Sequence, residues 1–297
     1  LAKICLIFKE TIMNYSRRSF LTKSALLGAA ASVLGDSLLA REVPKIQGFD
    51  ETETTIDASQ EWKPFTDRKV KMGIIGFGCC QFGAQFGFQD HPNVEVVGVS
   101  DLFPDRCAAL AKECRCEKQY ESLEEMIKND EIEAVFIATD APSHAEHAIK
   151  ALKAGKHVAS AVPAVFGNLE DAFRLFETVK ETGLIYGMFE TSAFHDDVYA
   201  ARKLYKAGVF GQMIYSEGEY YHYGCSSIPS YKNWRVGLPP QWYPTHSNAY
   251  YTCVTGNSFT EVSCVGHRNN YPYYKPGANK HDNPFGTEIA LFKTSEG

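Results

Sequence analysis

From Lys69 onward the chain alternates short apolar runs with longer stretches in which apolar residues recur every three or four positions. Lys69–Ile75, Asn93–Ser100, Ala134–Ala138, His157–Ser160 and Leu184–Phe189 are short and mostly apolar, the pattern of strands buried on both faces. Between and after them, helices are predicted over Gln81–Gln89, Pro104–Cys114, Ser122–Ile127, Ser143–Ala154, Asn168–Thr182 and Asp196–Ala207. The punctuation agrees: Pro104 suits a first turn, Ser122 with Glu125 three places on suits a capped start, and Gly155 suits a helix end. Strand and helix in alternation imply an α/β fold with a doubly wound parallel sheet over residues 69–192. After Gly211 the texture changes to strands without intervening helices, beginning at Gln212–Tyr220 and ending at Thr287–Lys293. This predicts a second α/β domain over 193–297 with an open, mainly antiparallel sheet, and the unfinished pattern at Gly297 is read as a C-terminal truncation.

The first strand runs into Gly76-Phe77-Gly78, where the backbone can turn tightly and approach a ligand with no Cβ in the way. A helix start follows, whose free N–H groups favour a diphosphate. Asp101 ends the second strand, 25 positions after Gly76 (101 − 76), placed to accept hydrogen bonds from a ribose diol and repel a 2′-phosphate. The 69–192 domain therefore reads as a Rossmann domain binding NAD in preference to NADP. The third glycine of the G-x-G-x-x-G pattern is replaced by Gln81, and Gly83 is expected to take over its helix-packing role.

The net charge of −6 and pI near 5.9 provide no basic face for nucleic acid. Nine cysteines, an odd number without paired C-x-x-C spacing, give neither a disulfide framework nor a zinc site; Cys114-x-Cys116 and Cys79-Cys80 could be metal or redox sites, but most free cysteines are small buried apolar groups. Cys79 and Cys80 stand at a predicted helix start, where thiols are expected to be more acidic than usual. Residues 1–12 precede Met13 and read as mis-called upstream sequence. Residues 13–40, with Arg17-Arg18 before an apolar stretch interrupted by Gly28, Gly35 and Asp36, are similar to a twin-arginine export signal, which implies a periplasmic protein with no stable membrane insertion. Residues 41–68 read as a linker.

Three groups attract attention as chemistry. His246 is the best-placed residue type for a base near neutral pH, with Tyr243 beside it; the plain alternative is a structural hydrogen bond. Glu190 lies at the C-terminal end of a parallel strand, where such sheets bind ligands, and it could equally cap a helix or form an ion pair. Tyr220 and His222 alternate on a predicted strand and so share a face. Eleven of the sixteen tyrosines and two of the three tryptophans fall between Tyr215 and Tyr274, which suits a cleft that stacks on a saccharide or glycoside, although β-favouring aromatics in a sheet account for part of the bias. Arg235 could bind a carboxylate or acylamino oxygen, or lie over Trp242 by cation–π contact.

The segment Ile137-Ala138-Thr139 through Ala151-Leu152-Lys153-Ala154-Gly155-Lys156-His157-Val158 resembles the Gfo/Idh/MocA oxidoreductases. The resemblance covers Lys69 to the end and implies a Rossmann domain, an open-faced second domain, NAD(P) and a sugar or polyol substrate. The family's dehydrogenases carry Glu-Lys-Pro where this chain has Ala161-Val162-Pro163, so their lysine is absent. Tyr243-Pro244-Thr245-His246 and Met188-Phe189-Glu190-Thr191 are similar instead to the NAD-dependent α-N-acetylgalactosaminidases of the same superfamily. That likeness implies NAD contacts at Asp101, Thr139, Ala141 through His144, Ala161, Val162 and Thr191. It implies substrate contacts at Tyr220, Arg235, Tyr243, Pro244, Thr245 and His246. Three functions follow as expectations: an NAD-dependent sugar oxidoreductase first, a glycosidase using transient oxidation second, and a nucleotide-bound sensor third. The sequence leaves the sugar and any homo-oligomer open.

Overall fold

The computed structural model of the chain describes residues 63–64, 66–222 and 227–296. The expected export signal and the first twelve residues lie outside the described residues, as does most of the expected linker. No described helix is long and apolar enough to cross a membrane.

Five parallel strands form the first sheet: β1 (Val70–Ile75), β2 (Val94–Ser100), β3 (Ala134–Ile137), β4 (His157–Ser160) and β5 (Tyr186–Met188), in the order β2-β1-β3-β4-β5. Alternate side chains of each strand serve opposite faces. Met72, Ile74 and Phe136 pack with Val99 and Leu110 on one face, whereas Ile75, Val135 and Ile137 pack with Leu123, Met126, Leu152 and Leu175 on the other. The covering helices are α1 (Phe82–Gln85), α2 (Pro104–Glu113), α3 (Leu123–Met126), α4 (His144–Lys153) and α5 (Leu169–Thr182), followed by α6 (Asp196–Lys206). Their ends follow the expected chemistry. Pro104 opens α2, the Ser122 hydroxyl accepts from the Glu125 amide, and Asn168 caps α5 by accepting from Glu170.

The helix expected over Gln81–Gln89 is shorter than predicted. It keeps one turn, because Gln81 at φ 59° and Gly87 at φ 69° are left-handed and interrupt the hydrogen-bond ladder on either side. Gly83 does take the packing role expected of it: a Cβ there would collide with the Gly76 carbonyl oxygen and press on Leu110.

Beyond α6 the chain forms α7 (Thr245–Thr255) and one antiparallel pair, β6 (Phe259–Arg268) with β7 (Phe285–Thr294). Val265 faces Ile289 and Ser263 faces Leu291 across the pair, and Lys293 reaches Glu261 at 3.2 Å. The strand expected at Gln212–Tyr220 is absent as a strand. That segment is exposed and, among the described residues, has no backbone partner; β-favouring side chains do not make a strand without a neighbour to pair with.

Gly83 gives a test of this packing. Alanine ordinarily stabilises a helix position relative to glycine, yet Gly83→Ala is expected to lower stability by about 1–3 kcal/mol, because the obstacle is backbone and cannot yield. A urea midpoint equal to or above that of the parent protein would remove this constraint.

Candidate active site

The order β2-β1-β3 makes the C-terminal ends of β1 and β3 the switch point of the sheet, since the chain leaves β1 toward opposite sides there. Gly76 and Gly78 turn at this point with φ 88° and 74°. A Cβ at Gly76 would sit 2.6 Å from the Ala138 carbonyl oxygen, so only glycine lets the two backbones meet. Asp101 reaches across from β2: its Oδ2 accepts from the Phe77 amide at 2.7 Å and its Oδ1 from the Phe103 amide at 2.9 Å. The carboxylate thus shapes the turn itself. Each oxygen keeps a further lone pair, so the carboxylate can still accept from a ribose diol. Arg106 stands behind, its guanidinium donating to the Gly78 carbonyl and its Nε 3.9 Å from Asp101. A tight glycine cradle, a helix start and a carboxylate at the tip of β2 fit a dinucleotide.

Cys79 and Cys80 sit in this turn with their sulfurs 3.7 Å apart. The expectation of an acidic thiol is corrected for Cys80: burial and the neighbouring Cys79 push it up, and the Arg235 charge offsets this only in part.

Among the residues implied to contact NAD, Thr139 follows β3 and its hydroxyl lies 3.0 Å from His147 Nδ1. Ala141 begins a short turn closed by Ser143 Oγ donating to Asp140 at 2.9 Å. His144 is fully buried, with Nδ1 2.8 Å from the Pro163 carbonyl and Nε2 3.2 Å from the Thr139 carbonyl. Burial pushes its pKa down, so it is neutral, and the closer carbonyl takes its N–H. Both ring nitrogens therefore face protein, and His144 ties the loop after β4 to the end of β3. Ala161 and Val162 are buried in that loop, which carries a cis Val162–Pro163 bond. Thr191 starts the turn after β5.

That turn holds the most informative pair. Glu190 leaves β5, and its Oε1 accepts from the Ser192 amide at 2.9 Å, capping the turn. The same oxygen lies 2.5 Å from His246 Nδ1, on the first turn of α7. The capping and ion-pair roles left open for Glu190 are therefore both filled. Burial alone would raise the Glu190 carboxyl, but hydrogen bonds from His246 and the Ser192 amide, with help from the nearby Thr245 hydroxyl, hold it below its ordinary value. Glu190 Oε2 and Thr245 Oγ1 are otherwise buried without partners of full hydrogen-bond geometry. A carboxylate only accepts, so Nδ1 of His246 carries the proton of this hydrogen bond, and Nε2 is the ring nitrogen left to act on a ligand. Nothing in the sequence marked Ser192 or the Thr245 contact, which depend on how the turn and α7 meet.

The aromatic residues surround this ring. Tyr220 stacks on His246 with centroids 4.2 Å apart, and Tyr243 meets it edge-on at 5.3 Å. Tyr220 and His222 do share a side, as their spacing implied, with the Tyr220 hydroxyl 2.8 Å from His222 Nε2. Burial pushes the Tyr243 phenol well up, so it stays protonated and serves as a donor rather than a base. Pro244 precedes α7 and Thr245 begins it, so the four residues from Tyr243 enter the site through one helix start. Arg235 lies over Trp234, 4.4 Å from the ring centre, and 5.7 Å from Tyr243, rather than over Trp242. Trp242 packs instead against Phe166 and His281, both edge-on at 5.4 Å. The site therefore offers one oriented imidazole, a phenol donor, a guanidinium and ring faces beside the dinucleotide cradle. Among the described residues no cluster of side chains could hold a metal ion.

Residues 70–190 match the family model described as an oxidoreductase family with an NAD-binding Rossmann fold. Similar curated proteins include a glycosyl hydrolase family 109 protein of Bacteroides thetaiotaomicron, 29% identical over 177 residues, which cover 56% of this chain and 38% of that protein. An uncharacterized oxidoreductase of Streptococcus pneumoniae is 30% identical over 148 residues, 49% of this chain and 39% of that protein. The chain thus spans about two fifths of the length of these relatives. Among solved structures, the scyllo-inositol dehydrogenase of Lactobacillus casei superposes with a TM-score of 0.59 at 21% identity, covering 77% of this chain and 66% of that one. The myo-inositol 2-dehydrogenase of Lactobacillus plantarum gives 0.59 at 19%, covering 77% and 67%. Those two likenesses are of fold. Residues 70–190 are thus similar to the Gfo/Idh/MocA oxidoreductase family, and the glycine cradle, Asp101 and the strand order of that segment are those of a Rossmann fold.

Proposed function

We propose that this protein is an NAD-dependent oxidoreductase acting at a secondary alcohol of a sugar or glycoside. The observation that carries this reading is the buried Glu190–His246 pair at the C-terminal edge of the sheet, beside the dinucleotide cradle. The bound nicotinamide would supply the hydride acceptor. His246 Nε2 would take the hydroxyl proton, the role that a lysine at position 162 fills in the family's dehydrogenases and that Val162 cannot. Glu190 fixes the tautomer of the ring and stabilises the imidazolium once it forms. Tyr243 donates to a substrate oxygen, while Tyr220 presents a ring face for sugar C–H surfaces. An export route by the twin-arginine signal, delivering folded protein to the periplasm, forms part of the proposal and rests on Arg17-Arg18 alone.

A second reading is favoured by the relatives named glycosyl hydrolase family 109. In that case oxidation is transient and serves to eliminate the aglycone. The two outcomes separate cleanly: an oxidoreductase accumulates NADH with substrate, whereas the eliminating enzyme frees aglycone without net NADH and exchanges solvent deuterium into the carbon beside the one oxidised. A protein that holds NAD and gives neither signal across a sugar library is a sensor, and the catalytic proposal fails.

Three outcomes are expected of variants. His246→Ala should lower the rate by roughly two to four orders of magnitude without weakening NAD binding, the usual scale of general acid–base catalysis. An unchanged rate would remove His246 from the chemistry.

Glu190→Gln should also slow the reaction by about two orders of magnitude or more, because an amide can donate to Nδ1 and favour the wrong tautomer. The folded Glu190 carboxyl titrates below its ordinary value of 4.5, so its contribution to stability is full above that value and lost as pH falls through the lower folded one. The stability gap between parent and Glu190→Gln should therefore be flat near neutral pH and shrink in acid; a gap that is constant into strong acid contradicts the pairing.

Asp101→Ala should weaken NAD binding by about 1–3 kcal/mol and relax discrimination against NADP, as read by calorimetry. Equal affinity for NAD before and after the change would take Asp101 out of the cofactor site.

A further inference from the structure

Arg235 carries a charge that no described carboxylate balances. Its guanidinium lies over the Trp234 ring, its Nε is buried without an acceptor, and it forms no ion pair among the described residues. The carboxylate of the site, Glu190, is already committed to His246 and the Ser192 amide. The Arg235 charge is nonetheless central to the cleft. It stabilises the ionised forms of the Tyr220 and Tyr243 phenols against their burial and helps to hold His222 neutral. Arg235 and His246 thus stand on the substrate side with one carboxylate among the described residues, Glu190, between them.

A cation set among ring faces and partly withdrawn from water is costly until a ligand supplies the opposite charge. A neutral hydroxyl or acylamino oxygen would accept a hydrogen bond from Arg235 and leave the charge standing. A carboxylate would accept the bond and cancel the charge, in a planar geometry that a guanidinium matches with two parallel N–H groups. We propose that the substrate is an acidic sugar, a pyranose or glycoside bearing a carboxylate, and that Arg235 is the residue that selects it. The proposal rests on the reading of this cleft as a sugar site. It takes the carboxylate as the partner of Arg235 because the guanidinium lies 5.7 Å from the ring of Tyr243, which meets His246 edge-on; the same charge also reaches Cys80 in the glycine turn, so the cofactor's diphosphate is the competing partner that the test separates.

The test is calorimetric titration of the full chain loaded with NAD. Its ligands are the methyl glycosides of glucuronic and galacturonic acid, each paired with its neutral hexoside parent. One uronoside of the two should bind about tenfold or more tighter than its parent, the scale of a charged hydrogen bond, and should weaken as salt is added. Arg235→Met should erase that preference while NAD affinity holds, and Arg235→Lys should keep part of it. Comparing acid with parent on the unaltered protein needs no variant to fold. The proposal is overturned if the hexosides bind as well as the uronosides, or if Arg235→Met retains the preference. Loss of NAD affinity in Arg235→Met, with the uronoside preference intact, would assign the guanidinium to the diphosphate instead. Binding of hexosides alone defeats the acidic class and leaves the sugar reading standing, whereas binding of neither class by a protein that holds NAD defeats both.

Discussion

A buried carboxylate needs a partner, and in this protein the choice of partner joins the two halves of the cleft. Glu190 ends the parallel sheet and His246 opens α7, 56 positions later, yet the pair closes to 2.5 Å with both side chains out of solvent. Uncompensated, the Glu190 charge would be expensive enough to rearrange the turn after β5. Paired, it caps that turn through Ser192, orients the imidazole and fixes where α7 begins. The ring stack on Tyr220 and the edge of Tyr243 then follow from the position of the imidazole.

On the cofactor side the governing constraint is backbone proximity. β1 and β3 end where the chain diverges, and their first loop residues approach so closely that Gly76 and Gly83 have no room for a methyl group. Asp101 belongs to this constraint, since it accepts from the Phe77 amide inside the turn. The shape of the cradle thus depends on one carboxylate, which holds both the Phe77 and the Phe103 amides.

Much of the first domain was legible because its signals are local and strong. Buried parallel strands are short apolar runs, and Ser122, Asn168 and Gly155 punctuate helices by mechanisms that act within a turn. The departure at Gln81 was legible too, since Gly83 offered an alternative contact two residues on. The candidate site was legible in residue type but not in geometry. His246, Glu190 and Tyr243 stand out as chemistry, whereas their pairing, the Ser192 cap and the position of Arg235 over Trp234 arise from tertiary packing that has no sequence period. The first helix and the Gln212–Tyr220 strand were overread for a shared reason. Propensity favoured them, but left-handed residues interrupted one and the other had no strand to pair with.

The aromatic wall of the cleft therefore has an unusual mechanical character. Tyr220 and His222 sit on a stretch whose main chain, among the described residues, is tied to no neighbour, while His246 and Glu190, which they face, are anchored in a helix and a sheet. One side of the cleft is rigid and chemical; the other is held chiefly by its side chains. Amide hydrogens from Gln212 to His222 should consequently exchange with solvent at rates near those of an open chain, and a molecule lodged against Tyr220 would slow them. In this protein the arrival of a ligand would be written in the backbone of a segment that contributes no fold of its own.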